Sequence, residues 1–295
     1  MIVIKLKGGL GNQMFQYAFA KSLSEKYSVP FYLDHTFLED KSFKKDFTFR
    51  DFELDVFNIT NRRAESDQLK YFLKPSQFFP KLLFKLRKKI YGPLYVHEPA
   101  YKYNSDLMIV KDRIYFEGYF QSYKYFQQYQ EAIRKDFTFQ TSLIKEVNPL
   151  VEKIKSSVSV SVHFRRGDMA NNKVINNVHG ICDLEYYEKA IQYIRANVNN
   201  PVFYFFSDEP EWIEKNFPLG DLQYHVIKGN SSNKSFLDMY LMSCCDHNVI
   251  ANSTFSWWAA WLNDNKNKQV VAPKNWLKAV DFDLKDIYPS DWCII

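Results

Sequence analysis

Short apolar runs and segments with helical periodicity alternate along much of the chain. Residues 2–6 predict a buried strand, and from Asn12 to Lys26 the apolar positions recur on one face of a helix. Residues 29–33 predict a second strand, whereas 40–125 is aromatic and irregular and predicts no clear order of elements. The beginning of the chain therefore predicts a strand, a helix and a strand around a buried sheet.

The second half of the chain has a more regular alternation. The predicted strands are 157–164, 202–206, 222–227, 247–251 and 269–272, and the predicted helices are 184–198, 209–216, 235–244 and 255–262. Strands that alternate with helices form parallel sheets, so five of them predict a doubly wound nucleotide-binding domain. We expect an α/β protein of two domains, 1–148 and 149–295, that face each other across a cleft.

Composition and charge narrow the class of partner. The formal net charge of +5 suits an anionic small molecule but is too small and too dispersed for nucleic acid. The four cysteines show no zinc-site spacing, and the N-terminus lacks the pattern of a signal peptide, so we expect a cytoplasmic protein. The basic amphipathic stretch 78–90 is typical of a surface helix, or of peripheral contact with the inner face of a membrane.

The strongest local motif is the run His163-Phe164-Arg165-Arg166-Gly167-Asp168, which directly follows a predicted strand. Ligands of open α/β sheets bind at the carboxyl ends of strands, and forked guanidinium groups are suited to phosphate oxygens. Asp168 would orient an arginine, and His163 would donate to a phosphate or sugar oxygen. The alternative is a salt-bridge cluster on the surface.

A second motif, Ala251-Asn252-Ser253-Thr254-Phe255-Ser256-Trp257-Trp258, spans the end of a strand and the start of a helix. Free backbone N–H groups and hydroxyls at such a start bind anions, although simple N-capping explains the same residues. We expect the tryptophans to be core residues.

Two further features are weaker when taken singly. The turn Lys7-Gly8-Gly9-Leu10-Gly11-Asn12 is neither a Walker loop nor a dinucleotide fingerprint, but a ligand can approach its backbone closely. Asp208 and Asp238 are carboxylates that can accept both N1–H and the amino group of guanine.

Taken together, these motifs resemble glycosyltransferase family 11, the α-1,2-fucosyltransferases, in a bacterial type without a membrane anchor. The matching segments are 8–18, 163–168, 203–209 and 252–262. The resemblance implies a GT-B-like fold of two Rossmann-type domains, with the acceptor side in the first and the donor site in the second. It also implies inverting transfer of L-fucose from GDP-β-L-fucose to the 2-hydroxyl of a galactoside in a surface polysaccharide or oligosaccharide, without a metal or other cofactor.

The resemblance also implies a role for each motif residue. Arg165, Arg166, His163 and Asp168 are expected at the catalytic centre, where the two arginines bind the donor diphosphate. The expected donor-binding residues are Gly9, Gly11, Asn12, Asp208, Asp238, Ser253, Thr254, Phe255 and Ser256.

The sequence leaves several points about the reaction open. The general base is Asp168, His163, or a residue near Asp34 and His35 of the first domain. The stretch Asp281-Phe282-Asp283 matches a metal-binding D-x-D formally, but we interpret it as a turn. The alternative functions are transfer of another GDP-linked 6-deoxy sugar such as colitose, hydrolysis or transfer at a phosphate ester, and glycan binding without catalysis.

Overall fold

The computed structural model describes residues 1–42, 50–60, 62–72, 94–99, 102–109, 113–167, 180–230, 234–277 and 284–295. The chain divides into two compact units, Met1–Thr138 and Phe139–Ile295. Asn148 and Pro149, where the sequence places the junction, begin a helix in the second unit. In the part of the chain that the structure describes, no helix combines the length and apolar character that crossing a bilayer requires.

A parallel four-stranded sheet forms the centre of the first unit. Its strands are β1 (Ile2–Lys5), β2 (Phe31–Asp34), β3 (Tyr95–His97) and β4 (Ile114–Glu117), in the spatial order β2-β1-β4-β3. The helices are α1 (Leu10–Tyr27), α2 (Thr36–Glu39), α3 (Ser66–Phe72) and α4 (Gln130–Asp136). Short 3-10 helices lie at Leu54–Val56, Ser105–Met108, Tyr123–Tyr125 and Gln127–Tyr129.

Helix α1 packs its aromatic residues against this sheet. The ring of Phe19 lies 4.9 Å from that of Phe116 and 4.0 Å from that of Phe120, measured between centroids. Ser28 ends the helix in a left-handed conformation. The strand, helix and strand that the sequence predicts at the beginning of the chain are confirmed.

The second unit is built on a parallel six-stranded sheet. Its strands are β5 (Ser159–Phe164), β6 (Val202–Ser207), β7 (Tyr224–Val226), β8 (His247–Val249), β9 (Val270–Ala272) and β10 (Cys293–Ile294), in the order β10-β9-β8-β5-β6-β7. The helices are α5 (Thr141–Ile144), α6 (Asn148–Lys155), α7 (Leu184–Asn197), α8 (Pro210–Asn216), α9 (Phe236–Ser243), α10 (Thr254–Leu262) and α11 (Leu284–Ile287), with a 3-10 turn at Lys145–Val147. Counted from β5, this is the doubly wound order 3-2-1-4-5-6.

The strands and helices predicted for the second half are confirmed, and the structure adds one strand, β10, and the helices α5, α6 and α11. Asp183 caps α7 by accepting a hydrogen bond from the Tyr186 N–H at 2.8 Å, and Trp257 and Trp258 are fully buried. The prediction of five strands was wrong because β10 is a sixth. β10 has two residues, which are too few to show a periodicity in the sequence. They are recognised as a strand because they pair with β9.

Candidate functional site at the carboxyl edge of the second unit

The turns that follow β5 and β8 lie side by side at the carboxyl edge of the six-stranded sheet. The two strands pair in parallel, with Val162 beside Val249, and the winding direction of the chain reverses between them. In doubly wound sheets this reversal opens a crevice in which ligands bind. Both predicted phosphate-binding segments therefore lie at one place.

Each arginine after β5 is held by a carboxylate from the turn after β6. Arg165 Nη1 donates to Asp208 Oδ2 at 2.7 Å, and Arg166 Nε donates to Glu209 Oε2 at 3.3 Å. The Arg166 guanidinium also lies over the ring of Trp212, with its Cζ 3.5 Å from the ring centroid. These contacts orient both guanidinium forks at the edge of the crevice.

Asp208 builds the arginine turn through its second oxygen. Oδ1 accepts the Arg166 backbone N–H at 3.0 Å, and a Cβ at Gly167 would lie 2.4 Å from Oδ2. The parallel register places Phe164 beside Ser207, so the residues after each strand must meet. Asp208 is thus a positioning residue for the arginines, and direct contact with a donor stays a prediction.

His163, the last residue but one of β5, is almost completely buried beside this turn. Its ring lies 5.8 Å from that of Phe255, and its Nδ1 has no hydrogen-bond partner among the described residues. Burial, followed by the charge of Arg165, lowers the pKa of His163 to about 3. The imidazole therefore stays neutral, which suits a hydrogen bond to a ligand and disfavours a role as general base.

Helix α10 begins with an N-cap rather than a row of outward hydroxyls. Ser253 Oγ accepts the Phe255 N–H at 3.3 Å, while Ser256 is buried and its hydroxyl lies 3.4 Å from the Ser253 carbonyl, to which it donates. The backbone N–H groups of the first turn and the helix dipole favour an anion here. Of the predicted hydroxyls, that of Ser256 is engaged within the helix.

Asp238 lies in the first turn of α9, which packs against α10 and also begins at the carboxyl edge. Asn230 Nδ2 donates to Asp238 Oδ1 at 2.7 Å. Burial raises the pKa of Asp238 to about 7, although the Asn230 hydrogen bond opposes the change. At neutral pH this carboxyl is therefore divided between its two protonation states.

The Gly-rich turn of the first unit is held by two buried glutamines of α1. Gln13 Nε2 donates to the carbonyls of Gly8 and Asp51 at 2.9 and 2.8 Å, and Gln16 accepts the Lys7 N–H at 3.0 Å. Gly8 has φ of +80°, a conformation that favours glycine.

An acidic side chain occupies the start of α1 beside this turn. The Leu10 N–H donates to the Glu53 carboxylate, and a Cβ at Gly9 would lie 3.7 Å from Glu53 Oε2. Gly11 is buried, and Asn12 Oδ1 accepts from Gln121 Nε2 at 2.9 Å. Glu53 opposes a phosphate at this helix start, so the predicted donor contacts of Gly9, Gly11 and Asn12 stay predictions.

Comparison with known proteins identifies the family. The model of glycosyl transferase family 11 matches residues 1–295. The chain belongs to glycosyltransferase family 11. It is similar to α-1,2-colitosyltransferase of Escherichia coli, with 33% identity over 99% of this chain and 98% of the relative. The O-antigen biosynthesis glycosyltransferase WbnK of Escherichia coli is 35% identical over 92% and 93%, and the mouse galactoside 2-α-L-fucosyltransferase Sec1 is 32% identical over 50% and 41%.

Solved structures confirm the fold class of this family 11 glycosyltransferase. NodZ α-1,6-fucosyltransferase, co-crystallised with GDP, matches with a TM-score of 0.52 and 14% identity over 88% of this chain and 92% of its own. A mutant of Arabidopsis thaliana FUT1 in complex with GDP matches with a TM-score of 0.53 and 13% identity over 92% and 70%. At such identities the likeness concerns the fold, which is α/β of the GT-B type.

Several predicted features of the glycosyltransferase lie outside the described residues: Asp168, the basic stretch 78–90 and Asp281–Asp283. Their predicted roles stay predictions. Asp34, a candidate base, is 2% exposed and accepts from the Tyr115 hydroxyl at 2.5 Å and the Thr36 N–H at 2.9 Å. Its neighbour His35 stacks on Phe52 at 4.3 Å. Both oxygens of Asp34 are engaged, which is a poor arrangement for proton transfer.

The sequence analysis missed the residues that support the arginines and the α10 turn. Glu209 and Trp212 hold Arg166 in place. Both residues follow β6, the neighbour of β5, so the rule that ligand-binding residues follow neighbouring strands could have indicated them. Asn252 ties three segments together: its Nδ2 lies 3.3 Å from the Gly180 carbonyl and 3.4 Å from the Trp276 carbonyl, and Cys182 donates to its Oδ1. No local pattern indicates the Asn252 contacts, because its partners are remote in sequence.

Proposed function

We propose that the enzyme transfers L-fucose from GDP-β-L-fucose to the 2-hydroxyl of a galactoside in a surface polysaccharide or oligosaccharide, with inversion. The observation that supports this most strongly is the pair Arg165 and Arg166, oriented beside the start of α10 at the chain reversal. This arrangement suits a diphosphate. The relative Sec1 is named a galactoside fucosyltransferase, and WbnK is named for O-antigen biosynthesis.

The proposed mechanism separates charge stabilisation from proton transfer. The bond between the anomeric carbon and the diphosphate breaks, while the acceptor oxygen bonds to the opposite face of that carbon. Charge develops on the leaving diphosphate, where the two guanidinium groups and the α10 backbone N–H groups stabilise it. The hydroxyl proton passes to a general base, for which Asp168 is the candidate of this unit, and neutral His163 contributes a hydrogen bond.

The nucleotide would be recognised through Asp238. Guanine presents N1–H and an amino group side by side, and an ionised carboxylate accepts both. Asp238 and the arginine turn lie at the same edge of one sheet, as a nucleotide base and its diphosphate require. We therefore propose a guanine nucleotide as the leaving group.

Colitose is the second candidate for the transferred sugar. The relative that is 33% identical over nearly the whole chain is named an α-1,2-colitosyltransferase. Colitose is the 3-deoxy analogue of L-fucose, so the same GDP-binding residues would serve both donors and only the sugar pocket would differ.

We further propose that transfer needs no metal ion. Arg165, Arg166 and the α10 start supply positive charge where the diphosphate would lie, which is the task a divalent cation performs in metal-dependent transferases. Turnover in excess EDTA tests this directly, and loss of activity that Mg²⁺ or Mn²⁺ restores would contradict it.

The donor class is tested by thermal shift with GDP, UDP and ADP, in EDTA, on three proteins. These are the wild type, Arg166→Ala and the matched control Arg195→Ala, whose exposed guanidinium pairs with Asp221 at 3.0 and 2.9 Å elsewhere in the same unit. We expect GDP alone to stabilise the wild type and the control, but not Arg166→Ala. The absence of a GDP preference in the wild type would contradict the proposal. Initial rates with GDP-fucose and GDP-colitose on lactose then distinguish the two sugars.

A further inference from the structure

Charged side chains replace apolar ones at the carboxyl end of the four-stranded sheet. Strands of a parallel sheet that is covered on both faces are normally apolar throughout. Here Lys5 ends β1 and Glu117 ends β4, which are neighbouring strands in the order β2-β1-β4-β3. The two residues therefore lie at the carboxyl edge of the sheet, which is where ligands bind in open α/β sheets.

Five side chains meet at this place, and we refer to them as the Glu117 cluster. The Tyr95 hydroxyl donates to the Glu117 carboxylate, Lys5 Nζ donates to Glu117 Oε2 at 3.4 Å, and Lys7 Nζ lies 3.9 Å from Oε1. Lys7 Nζ also lies 4.6 Å from the centroid of the Tyr119 ring. The cluster consists of Lys5, Lys7, Tyr95, Glu117 and Tyr119.

The charges of the cluster are largely withdrawn from water. The side chains of Lys5, Lys7 and Glu117 are 23%, 14% and 17% exposed. Burial lowers the pKa of Lys7 despite the nearby Glu117. Burial alone would raise the pKa of Glu117, but the Tyr95 hydrogen bond and the two lysines outweigh it, so that its pKa is lowered. Ion pairs this buried cost desolvation free energy, and replacement by apolar residues is often neutral for stability.

Tyr95 adds an aromatic surface to the charged groups. Its ring stacks on that of Tyr115, with centroids 5.0 Å apart and planes inclined by 10°, and the residue is 38% exposed. A ring packed on one side and open on the other suits the C–H face of a pyranose. A carboxylate and two ammonium groups beside it supply acceptors and donors for sugar hydroxyls.

We propose that the Glu117 cluster is the subsite that binds the neutral sugar acceptor, with Tyr95 beneath the pyranose and Glu117, Lys5 and Lys7 on its hydroxyls. This deepens the proposed function and rests on it for the class of ligand. The mixed charge of two cations and one anion matches a polyhydroxyl ligand better than a diphosphate, which would leave Glu117 repelled.

The test uses the full chain with saturating GDP-fucose and with lactose as the acceptor. Glu117→Gln removes the charge, and Tyr95→Ala removes the ring. Tyr224→Ala is the matched control, because Tyr224 is 39% exposed and likewise begins a three-residue edge strand, β7. We expect both cluster variants to raise the KM for lactose about 10-fold to 100-fold. The KM for GDP-fucose and the Kd of GDP should change by less than about twofold, as for sites that do not share contacts.

Saturation-transfer NMR with lactose and GDP gives a second readout that needs no turnover. Loss of lactose signal in Glu117→Gln and Tyr95→Ala, with an unchanged GDP signal and a wild-type result for Tyr224→Ala, would support the subsite. An unchanged lactose KM and signal in both cluster variants, or an equal loss in the control, would overturn it. A wild type that binds lactose but not GDP would contradict the proposed function while leaving the cluster assignment to be decided by the same lactose signals.

Discussion

Each unit has two cations beside one or two carboxylates at the carboxyl edge of its parallel sheet, but the cations are of different types. The second unit has arginines after its first strand, and the first unit has lysines at the end of its first strand. The groups concerned are Arg165 and Arg166 with Asp208 and Glu209, and Lys5 and Lys7 with Glu117. The same position in two related sheets is thus equipped for two different tasks.

The difference indicates what each edge is built to bind. A guanidinium is planar, permanently charged and forked, and it matches the geometry of phosphate oxygens. An ammonium is a compact charge on a flexible stem, and it donates in any direction, as scattered hydroxyls require. Each arginine is held in place by a carboxylate, and Arg166 is also held by Trp212. Lys7, in contrast, lies over the ring of Tyr119 and 3.9 Å from a carboxylate oxygen of Glu117.

An exchange of the two cation types gives the largest expected effect. Arg166→Lys retains the charge but loses the fork and the stacking on Trp212, so we expect kcat/KM for the donor to fall about 100-fold. Lys7→Arg should leave kcat/KM for the donor within about twofold and raise the KM for lactose by about threefold to 10-fold, because a guanidinium keeps the charge but donates in fewer directions than an ammonium. Initial-rate kinetics with each substrate varied in turn measure both. Equal losses in the two variants would show that the cation types are not specialised.

Sequence reasoning reached the second unit more easily than the first for a physical reason. β6 is a nearly continuous apolar run and β5 alternates valine with serine. The polar and charged residues follow each of these strands directly, so His163 to Gly167 could be located from the sequence. In the first unit β4 is a central strand, yet its four residues end in Glu117 within an aromatic region that predicts no order. The Glu117 cluster joins residues from strands far apart along the chain. Only the fold brings them together.

The carboxylates proposed to bind the two substrates differ in pKa. A change of pH should therefore affect the binding of one substrate and not of the other. Asp238 has a pKa raised by burial to about 7, whereas the pKa of Glu117 is lowered. An acid of pKa about 7 is ionised to about one tenth at pH 6 and about nine tenths at pH 8. Because guanine needs the ionised form, we expect the KM for GDP-fucose to be about 10-fold higher at pH 6 than at pH 8. The KM for lactose should not change over this range, since Glu117 and His163 do not titrate there.

Asp238→Asn controls this prediction and tests its sign through stability. A carboxyl whose pKa is raised on folding stabilises the protein below its unfolded value of 3.8, and that contribution is lost as the pH rises through about 7. The variant should therefore melt above the wild type at pH 8, with a difference that shrinks towards pH 4. It should also lose the pH dependence of donor binding. A KM for GDP-fucose that is flat with pH in the wild type would exclude Asp238 as the guanine acceptor.

The smallest expected effect separates the ring of Tyr95 from its hydroxyl. Tyr95→Phe keeps the stack on Tyr115 and loses the hydrogen bond to Glu117, which stays paired with Lys5 at 3.4 Å. We expect a local loss of about 1 kcal/mol, measured by native-state amide hydrogen exchange on β4, and a change in the KM for lactose of less than about threefold. Tyr115→Phe is the contrasting variant, because its hydroxyl donates to Asp34, which is 2% exposed and, among the described residues, would keep the Thr36 N–H as the one partner of its carboxylate. Removing a partner from a buried carboxylate costs more than removing one from a group that water reaches, so this loss should be larger by about 1 kcal/mol or more. If Tyr95→Phe instead matched Tyr95→Ala in its effect on lactose, the hydroxyl and not the ring would be the binding element, and the stacking role assigned to Tyr95 would be wrong.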